Sequence, residues 1–290
     1  MVTPAARRSM VALLQEGYQF SERRACVIIG LCRSSCRYQA KPKNDEELRS
    51  RLRELAEQRR KFGAPRLHTM LRREGHLINH KRTERLYREE GLSLRLKKRK
   101  KRTSHLRVTM DRPERINQHW SMDFVSDSLF SGRRFRVLTV VDDLSRECPV
   151  LEVDHSLTGQ RVARVLDRVA LTRGLPDVIT VDNGPEFISK ALDLWAYENS
   201  VKLRFIQPGK PVQNAYIESF NGKFRDECLN DNVFVNLHSA QKIIENWRKD
   251  YNSERPHSSL NDMTPEEFTR TFNQDRKTEN TKQNLVQSMG

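Results

Sequence analysis

Residues 207–227, QPGKPVQNAYIESFNGKFRDE, are the stretch around which the rest of the chain is organised. Gly209 and Pro211 favour an irregular entry, and nothing after Val212 interrupts a helical period of about 3.6 residues. The pattern predicts a polar loop followed by a helix. Its predicted packing side consists of Ala215, Ser219, Phe220 and Phe224, and its predicted polar side of Asn214, Glu218, Asn221 and Arg225. A solvated surface is the ordinary explanation of such a polar side, but it could also face a phosphodiester.

Two further acidic residues lie in or directly after strand-like runs upstream. Residues 178–187, VITVDNGPEF, form a β-branched run that ends in Asp182 and a turn dipeptide. Residues 119–127, HWSMDFVSD, form another run that contains Asp123. In sequence, 58 residues separate Asp123 from Asp182, and 35 separate Asp182 from Glu218. The three acids therefore belong to three different predicted elements.

These motifs resemble the DDE catalytic core of retroviral integrases and insertion-sequence transposases, in particular the second-frame (OrfB) product of the IS-three family. The resemblance is carried by WSMDF at 120–124, VVDD at 140–143, VDNGPEF at 181–187, NAYIESFNG at 214–222, DYN at 250–252, RPHSSL at 255–260 and TP at 264–265. It extends from residue 1 to about residue 270. It implies a DNA transposase that cuts insertion-sequence ends and joins them to DNA.

The resemblance also implies the residues of the active site. Asp123, Asp182 and Glu218 would be the catalytic residues and would hold two Mg²⁺ ions, with Mn²⁺ able to replace them and Asp123 bridging both. Hard cations of this kind take oxygen ligands, and two of them can stabilise an in-line displacement at phosphorus. Asn214, Asn221 and Arg225 are the expected DNA contacts of this region. Three nearby acids are interpreted as structural, Asp142 and Asp143 in a turn and Glu186 at a helix N-terminus.

The order of elements predicts the fold of the second half. Three strand-like runs at 120–125, 135–141 and 149–153 are joined by short links and precede a helix at 162–171. A strand at 178–181, a helix at 190–198 and a strand at 203–206 lead to the 207–227 segment. This order is that of the α/β ribonuclease H-like fold, a mixed five-stranded sheet with flanking helices. In that fold, the resemblance places Asp123 on the central first strand and Asp182 at the end of the adjacent fourth.

An all-α region is predicted before the sheet. In residues 1–42, the residues that favour helix starts and ends are spaced as in a helix-turn-helix motif, although a plain three-helix packing element explains this spacing equally well. Residues 43–92 form a second helical DNA-binding region, 93–113 a basic linker, 114–272 the catalytic core with C-terminal helices, and 273–290 a disordered tail. Within the second region, a helix that Asn79 could cap carries the expected DNA contacts Lys81, Arg82, Arg85 and Arg88.

Basic charge is concentrated in the first part of the chain. Residues 1–110 hold 29 Lys and Arg against 11 Asp and Glu, a net charge of +18, whereas the remainder carries −3. The densest run is the six consecutive cations Lys97, Lys98, Arg99, Lys100, Lys101 and Arg102. The strong positive charge of residues 1–110 indicates a polyanionic partner. Double-stranded DNA, at element ends and in the target, is favoured over a membrane. With no apolar signal-peptide core, a cytoplasmic, nucleoid-associated protein is expected.

Several alternatives remain open from the sequence. Cys26, Cys32, Cys36, His76 and His80 could form a zinc site, but their spacings differ from those of CxxC modules and favour reduced core thiols. His257 is expected in a loop, as polar surface or as a substrate contact. A ribonuclease H-type nuclease and a catalytically inactive DNA-binding regulator are the competing functions. The resemblance further suggests a homo-oligomer on DNA and association or frameshift fusion with the upstream first-frame protein.

Overall fold

The computed structural model describes residues 3–39, 45–94, 113–207 and 211–287. The predicted basic run from Lys97 to Arg102 lies outside these residues. Contacts between Cα atoms divide the chain into two compact units, Met1–Ser50 and Arg51–Gly290. The second unit contains the sheet and the predicted acidic site.

The first unit contains three short helices, α1 (Pro4–Tyr18), α2 (Glu22–Ile29) and α3 (Arg33–Arg37). Ser21 caps α2, since its hydroxyl accepts a hydrogen bond from the backbone N–H of Arg24 at 3.4 Å. α1 ends at Tyr18, and the next residue, Gln19, adopts a left-handed conformation with φ of 57°. Val11, Ala25 and Cys26 form the small core of this unit.

The helices at the start of the second unit follow the predicted punctuation. They are α4 (Glu46–Gln58), which begins before the unit boundary, α5 (Ala64–Arg73) and α6 (His80–Glu89). Pro65 lies in the first turn of α5, where its missing N–H costs no helical hydrogen bond. The side chain of Asn79 caps α6 by accepting from the backbone N–H of Lys81 at 2.9 Å, as predicted. Leu86 and Tyr87 are buried and give α6 its inner side.

A mixed sheet of five strands confirms the predicted ribonuclease H-like topology. Its strands are β1 (His119–Ser128), β2 (Arg134–Asp142), β3 (Val150–Asp154), β4 (Val178–Val181) and β5 (Lys202–Phe205), in the spatial order β3-β2-β1-β4-β5. The first three strands are antiparallel neighbours, whereas β1, β4 and β5 run parallel to one another. β1 is therefore the central strand, with β4 beside it.

Helices cover both faces of the sheet. On one face, α7 (Gly159–Arg173) and α8 (Lys190–Glu198) bury Val165 and Trp195 against Met122. On the other face, α9 (Ala215–Phe224) and α10 (Leu237–Ser253) bury Phe220 and Ile244 against the side chains that point the opposite way. Because side chains alternate along a strand, each residue of β1 faces one helical layer or the other.

The central stretch of sequence folds as three consecutive helical segments. A 3₁₀ turn at Pro211–Asn214 precedes α9, and a π-helical turn at Arg225–Leu229 follows it. The predicted packing side is partly wrong, because Ile217 is buried with Phe220 and Phe224, while Ala215 and Ser219 are exposed. A stripe at spacings of three and four residues selects Ile217 once the helix begins at Ala215.

The C-terminal end differs from the expected disordered tail. Helix α11 runs from Pro265 to Gln287, so its backbone stays helical where the polar composition of residues 273–290 predicted disorder. Thr264 and Glu267 begin it with a reciprocal capping pair at 2.7 and 3.2 Å, which gives the helix a firm start. Among the described residues, no helix is both long enough and apolar enough to span a bilayer.

Candidate active site

Asp123 lies in the middle of β1, on the sheet face that α9 covers. Its neighbours Met122 and Phe124 belong to the opposite layer, whereas Val125 packs in the same core as Phe220. The two-residue period of the strand thus directs the carboxylate towards α9. One oxygen, Oδ1, accepts from the backbone N–H of Phe124 at 2.7 Å.

Asp182 follows β4 directly, at the carboxyl end of the strand beside β1. Its Oδ1 accepts from the backbone N–H of Gly184 at 2.9 Å, which closes the turn predicted from the Asn-Gly dipeptide. A β-carbon at position 184 would lie 2.9 Å from that same oxygen. Glycine therefore allows the turn to approach the carboxylate without displacing it.

Glu218 lies in the first turn of α9 and is exposed. Three residues later on the same helix, Asn221 donates from Nδ2 to Oδ2 of Asp123 at 2.7 Å. This hydrogen bond links α9 to β1 across 98 positions of sequence. Since Glu218 and Asn221 share one side of the helix, the bond keeps Glu218 at the same edge as Asp123.

The electrostatics of Asp123 show that the three acids lie near one another. The pKa of Asp123 is raised to about 6, first by burial and further by the negative charges of Asp182 and Glu218, against the hydrogen bonds from Phe124 and Asn221 that lower it. A carboxylate with two like charges near it gains from a cation placed between them. The predicted triad of Asp123, Asp182 and Glu218 is therefore brought to one place in the fold.

The donor atoms at this place suit a hard divalent cation. All three acids offer carboxylate oxygens, and the side-chain Oδ1 of Asn221 is buried without a hydrogen-bond partner. The three acids are spread more widely than a single-ion cluster. In the described part of the chain, the group with all ligand atoms within 4.8 Å of one another is Glu22, Cys26 and Cys36 in the first unit.

The cluster in the first unit corrects the expected set of thiols. Cys32 is exposed and lies outside it, and Glu22 takes the place of the third cysteine. The Glu22 carboxylate already forms a bidentate ion pair with Arg37 at 2.7 and 2.8 Å. Arg37 is therefore held within the unit by this ion pair.

The three acids interpreted as structural do have structural partners. Asp142 is fully buried and accepts from the backbone N–H groups of Asn117, Leu144 and Ser145 at 2.8 to 3.0 Å. Asp143 accepts from the Ser121 hydroxyl at 2.7 Å, and burial raises its pKa to about 7. Glu186 lies in a turn before α8, not in its first turn, and forms an ion pair with Arg136.

The predicted DNA-contacting cations of α6 lie on its outer side. Lys81 and Arg88 are exposed, and Arg82 and Arg85 are half-buried. Arg85 pairs with Glu89 at 2.9 Å and Arg88 with Glu84 at 3.8 Å, each one helical turn away. The helix therefore carries its own counter-charges.

Two of the three expected DNA contacts of the central stretch, Asn214 and Asn221, are positioned differently from expectation. Asn214 is 4% exposed, and its Oδ1 is buried without a partner, so it does not present its amide on an open helix face. The 3₁₀ turn before α9 causes this, because it rotates Asn214 away from the line of Glu218 and Asn221. Arg225 is exposed and donates to the backbone oxygen of Ser126 at 3.2 Å.

Sequence reasoning missed a buried ionic network beneath this surface. Arg255 is 2% exposed and forms a bidentate pair with Glu227 at 2.6 and 2.7 Å. Arg66, from α5, reaches the same carboxylate at 3.3 Å. His257, expected in an open loop, is 3% exposed, and burial followed by the neighbouring cations lowers its pKa to about 2. The partners lie 28 to 161 residues apart, which no local pattern reveals.

Comparison with known families and structures agrees with this architecture. Models described as "Integrase core domain" match residues 113–211 and 199–265, and a model described as "HTH-like domain" matches residues 43–102. A protein of Burkholderia multivorans, "Insertion element IS407 uncharacterized 31.7 kDa protein", is 52% identical over 89% of this chain and 94% of its own length. The chain belongs to the IS-three family of insertion-sequence transposases.

A second IS-three family relative and one solved structure extend the comparison. "Insertion element IS476 uncharacterized 39.2 kDa protein" of Xanthomonas euvesicatoria is 43% identical over 93% of this chain and 79% of its own length. A chain of a simian T-cell lymphotropic virus intasome, determined in complex with PP2A regulatory subunit B56 gamma, aligns with a TM-score of 0.52. It is 15% identical and covers 75% of this chain and 74% of that chain, so the likeness is one of fold.

Proposed function

We propose that this transposase cuts the ends of its insertion sequence and joins them to target DNA by metal-dependent transesterification, with Asp123, Asp182 and Glu218 as catalytic residues. The observation that carries the proposal is the hydrogen bond from Asn221 of α9 to Asp123 of β1, which holds the helix that carries Glu218 against β1. Asp182 directly follows the neighbouring strand β4. Family membership supports DNA as the substrate.

The three acids would hold two Mg²⁺ ions, with Mn²⁺ as a substitute. When bound, such ions stabilise the attacking and leaving oxygens of an in-line displacement at phosphorus. The chain's own residues fix where the ions are held. Asn221 keeps the Asp123 carboxylate turned towards α9, and the Gly184 N–H holds one oxygen of Asp182. Both oxygens of Asp123 accept a hydrogen bond before any ion binds, so the carboxylate is preorganised.

The remaining parts of the proposal concern DNA and partners. Lys81, Arg82, Arg85 and Arg88 would contact the duplex through α6, Arg225 would contact the strand beside the acids, and the run 97–102 would bind backbone phosphates. Two or more copies would act together on DNA, and the upstream first-frame protein would join by association or frameshift fusion. The protein would act in the bacterial cytoplasm at the nucleoid.

The test is a strand-transfer assay on DNA from the ends of the encoding element. Asp123→Asn, Asp182→Asn and Glu218→Gln should each lower joining on the order of 10³-fold or more, because a lost metal ligand removes several kcal/mol of charge stabilisation. Binding of the same DNA should persist. Asp127→Asn is the matched control, since Asp127 lies on the same strand and bonds the N–H of Ser128.

Three outcomes would contradict the proposal in different ways. Near-native joining by any of the three variants in Mg²⁺ would place the site elsewhere. Wild-type protein that hydrolyses strands without joining them would indicate a nuclease of the ribonuclease H type. Wild-type protein that binds element ends in Mg²⁺ but neither cuts nor joins would indicate a DNA-binding regulator.

A further inference from the structure

A groove lies beside α9, next to Glu218. Next to Glu218 it is an open space of about 480 Å³ that Ser219, Gly222 and Lys223 also line. It continues as a second space of about 450 Å³ that reaches Arg146 and the two exposed hydroxyls of Ser258 and Ser259. Ala215, Ser219 and Lys223 line both parts, so the two spaces form one groove along the helix. We call it the α9 groove.

The α9 groove changes polarity along its length. Glu218 and Asp226 line only the part next to Glu218 and give it a negative character. Lys223 lines both parts, and in the second space, which we call the far end, Arg146 adds a second cation. The Arg146 guanidinium lies over the ring of Tyr216, 4.1 Å from its centroid, which holds it at the groove wall. Within the described ranges, neither cation has a carboxylate oxygen within 4.0 Å, unlike most arginines of this unit.

The cations around the far end outnumber the nearby acids. The charged groups that act on Lys223 are Arg255, Arg66 and Arg146 on the positive side and Glu227 on the negative side. Glu227 is already shared by Arg255 and Arg66. Asp143 also interacts electrostatically with Arg146. Because its pKa is raised to about 7, however, its carboxyl group is only partly charged at neutral pH and offsets the cations weakly. Burial and these like charges lower the pKa of Lys223 to about 8, and a bound anion would relieve that repulsion.

We infer that the far end of the α9 groove binds phosphates of the DNA strand that continues past the scissile position, through Lys223, Arg146 and the Ser258 and Ser259 hydroxyls. Lys223 follows Glu218 by five residues, which is about 7.5 Å along the helix axis. Successive charges of one DNA strand are about 3.4 Å apart along its axis, so this distance corresponds to roughly two phosphates. Small side chains at Ala215, Ser219 and Gly222 leave room for the strand to pass.

This inference rests on the proposed function, and it adds phosphate contacts separate from the one proposed for Arg225. The test measures binding of a short element-end duplex by the full chain in Ca²⁺-free buffer with chelator, over a series of salt concentrations, and strand transfer in Mg²⁺ in parallel. The variants are Lys223→Met, which keeps the aliphatic stem without the charge, Lys223→Arg, which keeps the charge, and Arg146→Gln. Lys242→Met, an exposed cation on α10 outside the groove, is the control.

Lys223→Met and Arg146→Gln should each weaken binding roughly tenfold, the scale of one lost charge-assisted hydrogen bond, and reduce the salt slope by about one. Lys223→Arg and Lys242→Met should bind like wild type. Wild-type affinity and slope in Lys223→Met, with wild-type strand transfer present, would overturn the inference and leave the proposed function standing. Weaker binding with an unchanged salt slope would also overturn it, since that pattern indicates a lost packing role. Absence of strand transfer in the wild-type protein would count against the proposed function, while the salt slopes would still decide whether the groove binds DNA.

Discussion

Helices α6 and α9 are both ten residues long and both were expected to present polar groups to DNA, yet they use those groups differently. In α6, Arg85 and Arg88 pair with glutamates one turn away on the same helix. In α9 and just beyond it, Asn221 and Arg225 bond to atoms of β1 nearly 100 residues earlier. These arginines of α6 thus form ion pairs within their own helix, whereas the α9 region is hydrogen-bonded to the strand that carries Asp123.

The difference leads to different expected effects of substitutions in the two helices. Local i,i+4 pairs are worth only a few tenths of a kcal/mol and exchange readily for phosphate. A hydrogen bond from α9 to a buried carboxylate fixes the position of that carboxylate. Substitution of Asn221 in α9 should therefore act on the chemical step, whereas substitution of the paired arginines of α6 should act weakly on binding.

The largest effect that distinguishes the two helices is expected for substitution of Asn221. Asn221→Ala should lower strand transfer about 10- to 100-fold, the range for groups that orient a metal ligand, while element-end binding changes little. Asn221→Asp should be more harmful, because it places another negative charge 2.7 Å from the Asp123 oxygen. The strand-transfer rate of both variants is measured at saturating DNA. Full activity in Asn221→Ala would remove the distinction between the two helices.

A second effect concerns His257, which is buried among several cations. His257 is buried and neutral, with a pKa of about 2 in the folded protein against about 6.5 when unfolded. Below pH 6.5 the unfolded chain takes up a proton that the folded chain does not. The free energy of unfolding should therefore fall by up to about 1.4 kcal/mol per pH unit as the pH decreases from 6.5.

Denaturant unfolding at pH 7 and pH 5.5 measures this dependence. His257→Gln can still accept from Arg255 and should flatten the pH slope, whereas the exposed His238→Gln should keep it. An unchanged slope in His257→Gln would mean that the buried histidine does not govern acid stability.

The smallest effects come from comparing single arginines of the two helices. Arg225→Ala should weaken element-end binding roughly tenfold and reduce the salt slope by about one, because its carbonyl partner leaves its charge available to phosphate. Arg88→Ala should weaken binding by no more than about threefold, since it also frees Glu84 from an exposed pair. Binding titrations over a salt series measure both. Equal effects would show that local pairing does not determine DNA affinity.

Local patterns predicted most of the elements and failed where partners are distant in sequence. The strand at Val178–Val181, the helix at Lys190–Glu198 and the Asn79 cap were confirmed, because each depends on a few neighbouring residues. The 3₁₀ turn that buries Asn214 could not be predicted from a helical period. The same limit applies to Arg255 and Glu227, whose pairing depends on how α5, the π-helical turn and the C-terminal segment pack.

The surroundings of Asp123, Asp182 and Glu218 were predicted only in part. The identity of the three acids came from family motifs, and the period of β1 explains why Asp123 points at α9. The hydrogen bond from Asn221 was not predicted, since the amide was expected to face DNA. The structure assigns that side chain to the Asp123 carboxylate instead.

The central claim, that Asp123, Asp182 and Glu218 hold the catalytic metal ions, is tested most directly by changing ligand softness. Each acid is replaced in turn by cysteine, and strand transfer is measured in Mg²⁺ and in the softer Mn²⁺. A thiolate is a poor ligand for Mg²⁺ and a better one for a softer ion, so the account predicts no joining in Mg²⁺ and partial recovery in Mn²⁺. Recovery should be absent in Asp123→Ala, which offers no ligand. Equal activity of the cysteine variants in both metals, or equal recovery in Asp123→Ala, would contradict the account.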